Sequence, residues 1–256
     1  MSSVRSRHST KYGVASMSRI LCIGGSIANL IAAHHLSSEN EVTIIDVHAE
    51  IGMPCSHPGF VLELDSLNPY MTEEQMKFLN PHLNEPGFGL RSEWLTKLLA
   101  LNVAEQGVNI HTRTRITSIE TKDNEYSVSF QGAGPNSKSI LIFDKIIDGS
   151  THVPPAPGGL KHTFEEALDL PSPDFGVRTE WFGGTTLTTD CTDIPEASWR
   201  FDRTGGLSEV WMEGNPSWTP QHGWIEQILS PLSFNASQRT IDAQITEGKR
   251  LFEVVT

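Results

Sequence analysis

The sequence lacks long apolar runs and has few cysteines. No run in its 256 residues approaches the roughly 20 apolar residues needed to span a bilayer, so any membrane contact would be peripheral. Only three cysteines occur, Cys22, Cys55 and Cys191, and Cys22 lies in an apolar run that predicts a buried strand. A small, odd number of cysteines argues against a disulfide framework and for a reducing compartment, so we expect a cytoplasmic protein.

Basic residues are also scarce. The chain has 19 Lys and Arg against 31 Asp and Glu, a formal net charge of −12, which argues against nucleic acid or an anionic bilayer as a partner. The Gly-x-Ser-x-Gly elbow of α/β-hydrolases and the Walker loop of P-loop nucleotidases are both missing. Hydrophobic residues nevertheless make up 38% of the chain, as in a packed globular protein. We therefore expect small-molecule chemistry and no nucleic-acid function.

The first 16 residues differ in composition from the rest of the chain. They carry Arg5, Arg7 and Lys11 together with several serines, and they contain no acid. A secretory signal needs an apolar segment, which this stretch lacks. We therefore expect residues 1–17 to form a disordered leader.

Two short patterns contain potential metal ligands, His34-His35 and Cys55-x-His57. A structural zinc site needs four ligands, and no second Cys or His pair stands at a matching spacing. The sequence therefore predicts no metal site.

The clearest motif is a strand–helix–strand pattern near the N-terminus. An apolar run at residues 20–23 leads into Gly-Gly-Ser at residues 24–26, and a helical stretch follows over residues 27–36. A second apolar run, residues 42–45, ends at Asp46. This order of elements is typical of a unit that binds a dinucleotide.

Each part of this motif has a physical role in holding a dinucleotide. Gly24 lets the backbone turn sharply, and the helix N-terminus offers unpaired N–H groups and partial positive charge to a pyrophosphate. Asp46 follows Gly24 by 46 − 24 = 22 positions, where the motif needs an acceptor for a ribose hydroxyl. The second and third glycines of Gly-x-Gly-x-x-Gly are replaced by Ser26 and Asn29. Ser26 can cap the helix, whereas Asn29 brings a polar side chain to a place of close helix–strand packing.

Three blocks of the sequence resemble the flavoprotein group that includes geranylgeranyl reductases and aromatic-ring hydroxylases. Residues 42–54 are similar to its second strand, closing acid and Ile-Gly-x-Pro loop. Residues 89–120 are similar to its conserved arginine, here Arg91, and to the helix, glycine, short strand and hairpin that follow. Residues 143–150 are similar to its strand that ends in an Asp-Gly pair. The resemblance covers residues 19–150.

The resemblance implies a fold and an activity. The fold would be α/β, with a Rossmann-type FAD/NAD(P)-binding domain over residues 18–152, an antiparallel β-sheet substrate-like region over residues 153–233 and a C-terminal helix over residues 234–256. The activity would be FAD-dependent oxidoreduction of an apolar small molecule of prenyl or aromatic type, with NAD(P)H as a candidate electron donor. The residues implied in cofactor binding are Gly24, Gly25, Ser26, Ala28, Asn29, Asp46, Arg91, Asp148 and Gly149.

Other functions stay open because the chain departs from this group in two ways. It has no late Gly-Asp-Ala segment after residue 150, and it is shorter than such enzymes usually are, as a fragment or a shortened relative would be. It could be a catalytically inactive protein that binds a ligand or forms a complex, or an enzyme that uses NAD(P) alone, with Asp46 selecting the unphosphorylated ribose. No catalytic residue is assigned: Cys55 or His57 would lie near the reactive edge of a flavin, but a buried thiol and a loop histidine are the simpler interpretation.

The second half of the chain begins after a proline- and glycine-rich break at residues 153–159. Apolar segments separated by Gly and Asp turns predict an antiparallel sheet there, whose aromatic side chains would form its core or line an apolar substrate pocket, with the core as the simpler interpretation. The predicted strands are Phe175–Thr189, Ala197–Phe201 and Leu207–Met212. The aromatic residues are Trp181, Phe182, Trp199 and Trp211.

Helices are predicted at four further places, from apolar spacing and capping residues. They are a short helix over Thr72–Phe78, a longer one capped by Ser92 and ended by Gly107, one over Gln221–Leu229, and one from an Asn235 cap to Phe252. Gly248 lies inside the last of these and is expected to weaken it.

Overall fold

The computed structural model describes residues 17–54, 57–135, 139–152, 154–164 and 168–256. The predicted leader up to residue 16 and Cys55 lie outside the described residues. The helices are α1 (Ile27–Leu36), α2 (Glu73–Leu79), α3 (Ser92–Glu105) and α4 (Ile241–Val255). The strands are β1 (Arg19–Ile23), β2 (Glu41–Ile45), β3 (Phe60–Val61), β4 (His82–Leu83), β5 (Phe88–Gly89), β6 (Asn109–His111), β7 (Thr114–Lys122), β8 (Glu125–Gly132), β9 (Ile140–Phe143), β10 (Lys145–Asp148), β11 (Arg178–Leu187), β12 (Trp199–Arg203), β13 (Leu207–Glu213) and β14 (Glu226–Ser233). Within these segments, none of the helices has the length and apolar character to cross a membrane.

A parallel sheet with the strand order β10-β1-β2-β6 forms the centre of the fold. The two central strands, β1 and β2, are nearly continuous apolar runs because both of their faces are covered. One face packs on α1, α3 and α4, and Cys22 on that face is fully buried, which raises the pKa of its thiol to about 12. The other face packs on the antiparallel sheet β7-β8-β9 through Ile116, Val128 and Phe143. The predicted α/β fold with a parallel sheet is confirmed.

A second antiparallel sheet has the strand order β12-β13-β11-β14. Trp181 and Trp211 are buried in a cluster with Phe60 and Phe201, so the core interpretation is confirmed for these two tryptophans. The Trp211 ring lies over Gly183, where a Cβ would be 2.2 Å from ring carbon Cε3. A glycine in the middle of β11 therefore makes room for the tryptophan on the neighbouring strand.

The predicted helix over residues 221–229 is wrong. Glu226–Ser233 is strand β14, and it pairs antiparallel with β11 in a register that places Leu229 opposite Phe182. Its inward side chains alternate along the strand, and Pro231 would interrupt a helix at this position. The short apolar spacing suggested a helix, but pairing with β11 determines the structure.

The other predicted helices are confirmed, with shifts at their ends. Thr72 caps α2 in a reciprocal arrangement with Gln75. Ser92 is the first residue of α3 and not its cap, because its hydroxyl donates a hydrogen bond to the backbone oxygen of His57 at 2.6 Å. Near the C-terminus, Asn235 caps a single turn of 3₁₀ helix and Thr240 caps α4.

Gly248 lies at the contact between α4 and α1. A Cβ at this position would be 2.6 Å from the backbone oxygen of Ala28 and 2.6 Å from the Cβ of Ile31. These distances are shorter than van der Waals contact, so the two helices can approach this closely only because Gly248 has no side chain. The sequence-based expectation of a weakened helix omitted this contribution to packing.

We expect Gly248→Ala to destabilise the protein, although alanine normally favours a helix over glycine by about 1 kcal/mol. The added methyl group would force α4 away from α1, at a cost of roughly 1–3 kcal/mol typical of overpacking. Urea unfolding measures the change, with Lys249→Ala on the exposed side of α4 as the control. An unchanged or raised free energy of unfolding for Gly248→Ala would contradict the close contact.

Candidate functional site

The candidate site lies at the carboxyl ends of the parallel strands. From β1 the chain proceeds through α1 to β2 on one side, and β10 pairs with β1 on the other side. The direction of strand order therefore changes between β1 and β10, and ligands of open α/β sheets bind in the crevice at such a point. Gly24, Asp46 and Asp148 follow or end the three strands here.

A cavity of about 500 Å³ opens at these strand ends, and we call it the strand-end cavity. Its walls include Gly24, Asp46 and Asp148, together with Thr151 and His162. Burial lowers the pKa of His162 to about 4, against the opposing charges of Asp46 and Asp148. The volume is within the range of about 300–1,000 Å³ that small-molecule sites occupy.

The turn between β1 and α1 depends on Gly24, whose φ of +85° favours glycine. Its N–H donates to the backbone oxygen of Ile45 at 2.9 Å, which ties the turn to the end of β2. Ser26 caps α1, since its hydroxyl oxygen accepts the N–H of Asn29 at 3.2 Å. The preceding N–H groups of the first turn have no partner within the helix and form its positive end.

Asn29 is fully buried and does not face the crevice. Its side-chain Nδ2 donates to the backbone oxygens of Ile23 at 2.8 Å and of Gly24 at 2.9 Å. It lies against Gly149, where a Cβ would be 2.4 Å from Asn29 Nδ2. The side chain therefore occupies space that Gly149 leaves between α1 and the end of β10. Ala28 is also fully buried, and its backbone oxygen lies against Gly248.

Asp46 is almost completely buried, at 2% exposure. Its Oδ2 accepts the N–H of Gly25 at 2.6 Å, and its Oδ1 accepts both the backbone N–H and the ring Nδ1–H of His48, each at 2.7 Å. Burial acts to raise the pKa of Asp46, but the hydrogen bonds and charge of His48 and the N–H of Gly25 outweigh it and hold the pKa below its ordinary value. The ribose contact expected for this carboxylate stays a prediction.

A second cavity, of about 30 Å³, lies beside the N-terminus of α1, and we call it the helix-end cavity. Gly25 and Ser26 line it from the turn, and His48, His57 and Glu93 line it from other elements. Burial lowers the pKa of His57 to about 4, and its Nδ1 lies 2.9 Å from the backbone oxygen of the next residue. Within the described residues, His48 Nε2 and Glu93 Oε2 are buried without a hydrogen-bond partner.

Arg91, expected to face a cofactor, lies at the first turn of α3. Its Nε donates to Glu93 Oε1 at 2.6 Å, and its guanidinium stacks over the Trp94 ring at 3.8 Å from the ring centroid. The arginine side chain is 40% exposed, while Glu93 is buried. These contacts bring Arg91 to the carboxylate that lines the helix-end cavity.

Sequence reasoning missed a buried charge cluster formed by Glu93, Arg203 and Glu209. Arg203 Nη1 donates to Glu209 Oε1 at 2.8 Å, and Arg203 Nη2 lies 3.4 Å from Glu93 Oε1. Burial raises the pKa of Glu209 to about 7, although the charge of Arg203 and the N–H of Gly59 act to lower it. Arg203 follows Phe201 at the spacing of two that places strand residues on one face, and this pattern could have indicated a buried cation.

The comparisons with known proteins show which fold this is. No protein-family model matches the sequence, and no curated protein matches it. Solved structures do match, and the chain shares the fold of proteins that include a flavoprotein/dehydrogenase.

Three of these structures illustrate the similarity. A geranylgeranyl bacteriochlorophyll reductase-like protein from Thermoplasma acidophilum is 12% identical, with a TM-score of 0.63 over 93% of this chain and 78% of that one. The p-nitrophenol 4-monooxygenase PnpA from Pseudomonas putida is 10% identical, with a TM-score of 0.62 over 93% and 79%. A flavoprotein/dehydrogenase from Cytophaga hutchinsonii is 15% identical, with a TM-score of 0.57 over 93% and 78%. At sequence identities this low, the structural similarity establishes the fold of the chain alone.

The raised pKa of Glu209 makes stability depend on pH. Its folded-state pKa of about 7 lies above the ordinary 4.5, so folding favours the protonated carboxyl. This contribution to stability is complete below pH 4.5 and is lost as the pH rises through about 7. We therefore expect Glu209→Gln to gain stability relative to the parent protein over that pH window. Unfolding curves of both proteins across the window measure the difference. If the free energy of unfolding depended on pH in the same way in both proteins, the raised pKa of Glu209 would be contradicted.

Proposed function

We propose that the protein binds FAD at the carboxyl ends of β1, β2 and β10 and acts as a flavin-dependent oxidoreductase. In this proposal β1, α1 and β2 form a Rossmann-type dinucleotide-binding unit. The observation that carries it is the position of Asp46, which lines both the strand-end cavity and the helix-end cavity. A space large enough for a nucleoside is thereby adjacent to a helix N-terminus that can receive a diphosphate.

Different residues would hold the adenosine and the diphosphate of such a cofactor. Adenosine would occupy the strand-end cavity, against Gly24, Asp148 and Thr151. The diphosphate would lie at Gly25 and Ser26, where the first turn of α1 supplies N–H donors. The turn has no bulk from Asn29, because that side chain is directed towards β1 and Gly149.

Bound FAD would supply hydride transfer through its ring nitrogen N5, and the protein would supply orientation and proton handling. His57 is neutral near physiological pH because its pKa is about 4, so it carries no spare proton to donate there. Glu209 has a pKa of about 7 and hydrogen-bonds to the backbone of Gly59, so it is a buried carboxyl that can hold or release a proton near neutral pH.

The proposed substrate is an apolar small molecule of prenyl or aromatic type, and NAD(P)H is the proposed electron donor. This substrate type follows from the resemblance to the flavoprotein group. The apolar wall that Leu229, Pro231 and Phe164 give the strand-end cavity would face the adenine ring of the bound cofactor.

A second candidate function is nucleotide binding without flavin chemistry. The observation that favours it is the narrowness of the helix-end cavity, about 30 Å³, together with the hydrogen bond that already connects Asp46 to Gly25. In such a protein the strand-end cavity would hold a mononucleotide, and no flavin would be retained.

Purification and a nucleotide titration test the proposal. We expect a yellow protein that releases FAD on denaturation, or a colourless one that takes up added FAD. Thr151→Trp would fill the strand-end cavity from its wall and should weaken FAD binding by about tenfold or more. Thr246→Trp, on the exposed side of α4, serves as the matched control and should bind FAD like the parent protein.

The outcomes separate the two candidate functions. A protein that does not bind FAD but binds AMP or NADH, with Thr151→Trp weakening that binding, would favour the second candidate. A protein that binds neither FAD nor any of these nucleotides would contradict both.

A further inference from the structure

We infer that His48, held in place by Asp46, is a diphosphate-binding residue whose ring Nε2–H donates to a phosphate oxygen beside the N-terminus of α1. The inference rests on the proposed function, because it assigns a ligand contact within the same site. It also changes the expected division of roles. Asp46 orients the histidine, and the histidine contacts the ligand.

The geometry of the histidine carries the argument. His48 is 3% exposed, and its ring Nδ1 donates to Asp46 Oδ1 at 2.7 Å. The backbone N–H of His48 donates to the same oxygen, also at 2.7 Å, so the ring and its backbone are fixed together. The opposite ring nitrogen, Nε2, is buried without a partner among the described residues, and the ring lines the helix-end cavity. A buried polar atom without a partner is costly unless a ligand or water satisfies it.

The helix N-terminus provides the second, independent feature. Gly25, Ser26 and Ile27 line the same cavity, and they precede or begin a helix of ten residues. Its first-turn N–H groups and partial positive charge attract an anion. A histidine ring nitrogen and a helix N-terminus that face one small cavity can both donate to a phosphate, and they have to outweigh the carboxylates of Asp46 and Glu93, which line the same cavity.

Other charged and titratable groups around the cavity come from several elements of the fold. Asp46 supplies a buried negative charge from the end of β2. Glu93 of α3 lines the cavity, and Arg91 and Arg203 hold its Oε1. His57 and His152 also line the cavity.

Those two neighbouring histidines add no positive charge near neutral pH. Burial lowers the pKa of His57 to about 4, and burial together with the charge of Arg178 does the same for His152. His48 differs from them in having a carboxylate, Asp46, as the partner of its ring Nδ1.

A diphosphate contact with His48 requires a proton on the ring nitrogen Nε2. With Nδ1–H bonded to Asp46, the neutral ring has a lone pair on Nε2 and can only accept a hydrogen bond there. A phosphate oxygen needs a donor. Binding of a diphosphate to a neutral His48 therefore requires one proton on Nε2, which comes from solvent when the ligand is fully ionised and from the ligand when one of its phosphate oxygens still carries a proton.

The cavity has to widen for a phosphoryl group. At about 30 Å³ it has room for about two water molecules, whose place a phosphate would take. Met53, which is 40% exposed, and Pro54 form part of its wall. Met53 is the flexible side chain able to move outward as the ligand enters.

Calorimetry with inorganic pyrophosphate and with ADP tests the inference. His48→Gln keeps a polar side chain but cannot become charged, and we expect it to weaken the binding of both ligands by about tenfold or more. Adenosine should bind the variant and the parent protein equally, because it has no phosphate. The matched control is His35→Gln near the far end of α1, where the ring bonds to Tyr70, and its affinities should equal those of the parent.

A second measurement uses the unaltered protein, so it does not depend on how well the variant folds. Titration with pyrophosphate should change the ring-nitrogen NMR signal of His48 to that of an imidazolium. Titration with ADP at a pH where its phosphates are fully ionised, in buffers of different ionisation enthalpy, should show proton uptake. Thermal melting of His48→Gln shows whether the variant is folded when its affinity is measured.

The outcomes also separate this inference from the proposed function. Pyrophosphate binding that depends on His48 in a protein that never takes up FAD would support the inference and contradict the flavin proposal. FAD binding with no loss of affinity in folded His48→Gln and no proton uptake would overturn the inference and leave the flavin proposal intact. A parent protein that binds neither pyrophosphate nor ADP would overturn the inference.

Discussion

The hydrogen bonds accepted by the Asp46 carboxylate fix the relative positions of the parts of the site. One oxygen holds the turn after β1 through Gly25, and the other holds the chain after β2 through His48. Without this carboxylate, the turn before α1 would keep its hydrogen bond from the N–H of Gly24 to the backbone oxygen of Ile45, but the two cavities would lose their common wall. Burial of the carboxylate is tolerated because every bond it accepts comes from a donor that the fold positions before any ligand binds.

Much of the fold was predictable because the strongest local signals agree with the tertiary structure. The apolar runs at β1 and β2 are buried on both faces. Thr72 caps α2 and Asn235 caps the 3₁₀ turn before α4, as expected for a threonine and an asparagine. The helix predicted over residues 221–229 failed because a short apolar run fits either element. Antiparallel pairing with β11 makes this segment a strand, and no local sequence pattern encodes that pairing.

The candidate site was predictable in position but not in arrangement. Spacing along the chain located Asp46 at the end of β2, and the Asp-Gly pair located Asp148 beside it. The direction of a side chain inside a cavity depends on its neighbours, so the partnership of Asp46 with His48 could not be deduced from spacing. The cluster of Glu93, Arg203 and Glu209 joins α3 to two strands about a hundred residues further along the chain, and only the packed structure brings these charges together.

The contact between Asn29 and Gly149 shows how this chain accommodates a departure from a common motif. Gly149 has no side chain, and the Asn29 amide fills the space beside it. Glycine at position 29 would create a void against Gly149 and remove the side-chain donor to the carbonyls of Ile23 and Gly24. Ile23 would keep the hydrogen bond from the N–H of Gly149, whereas the carbonyl of Gly24 would lose the amide that holds the turn against α1.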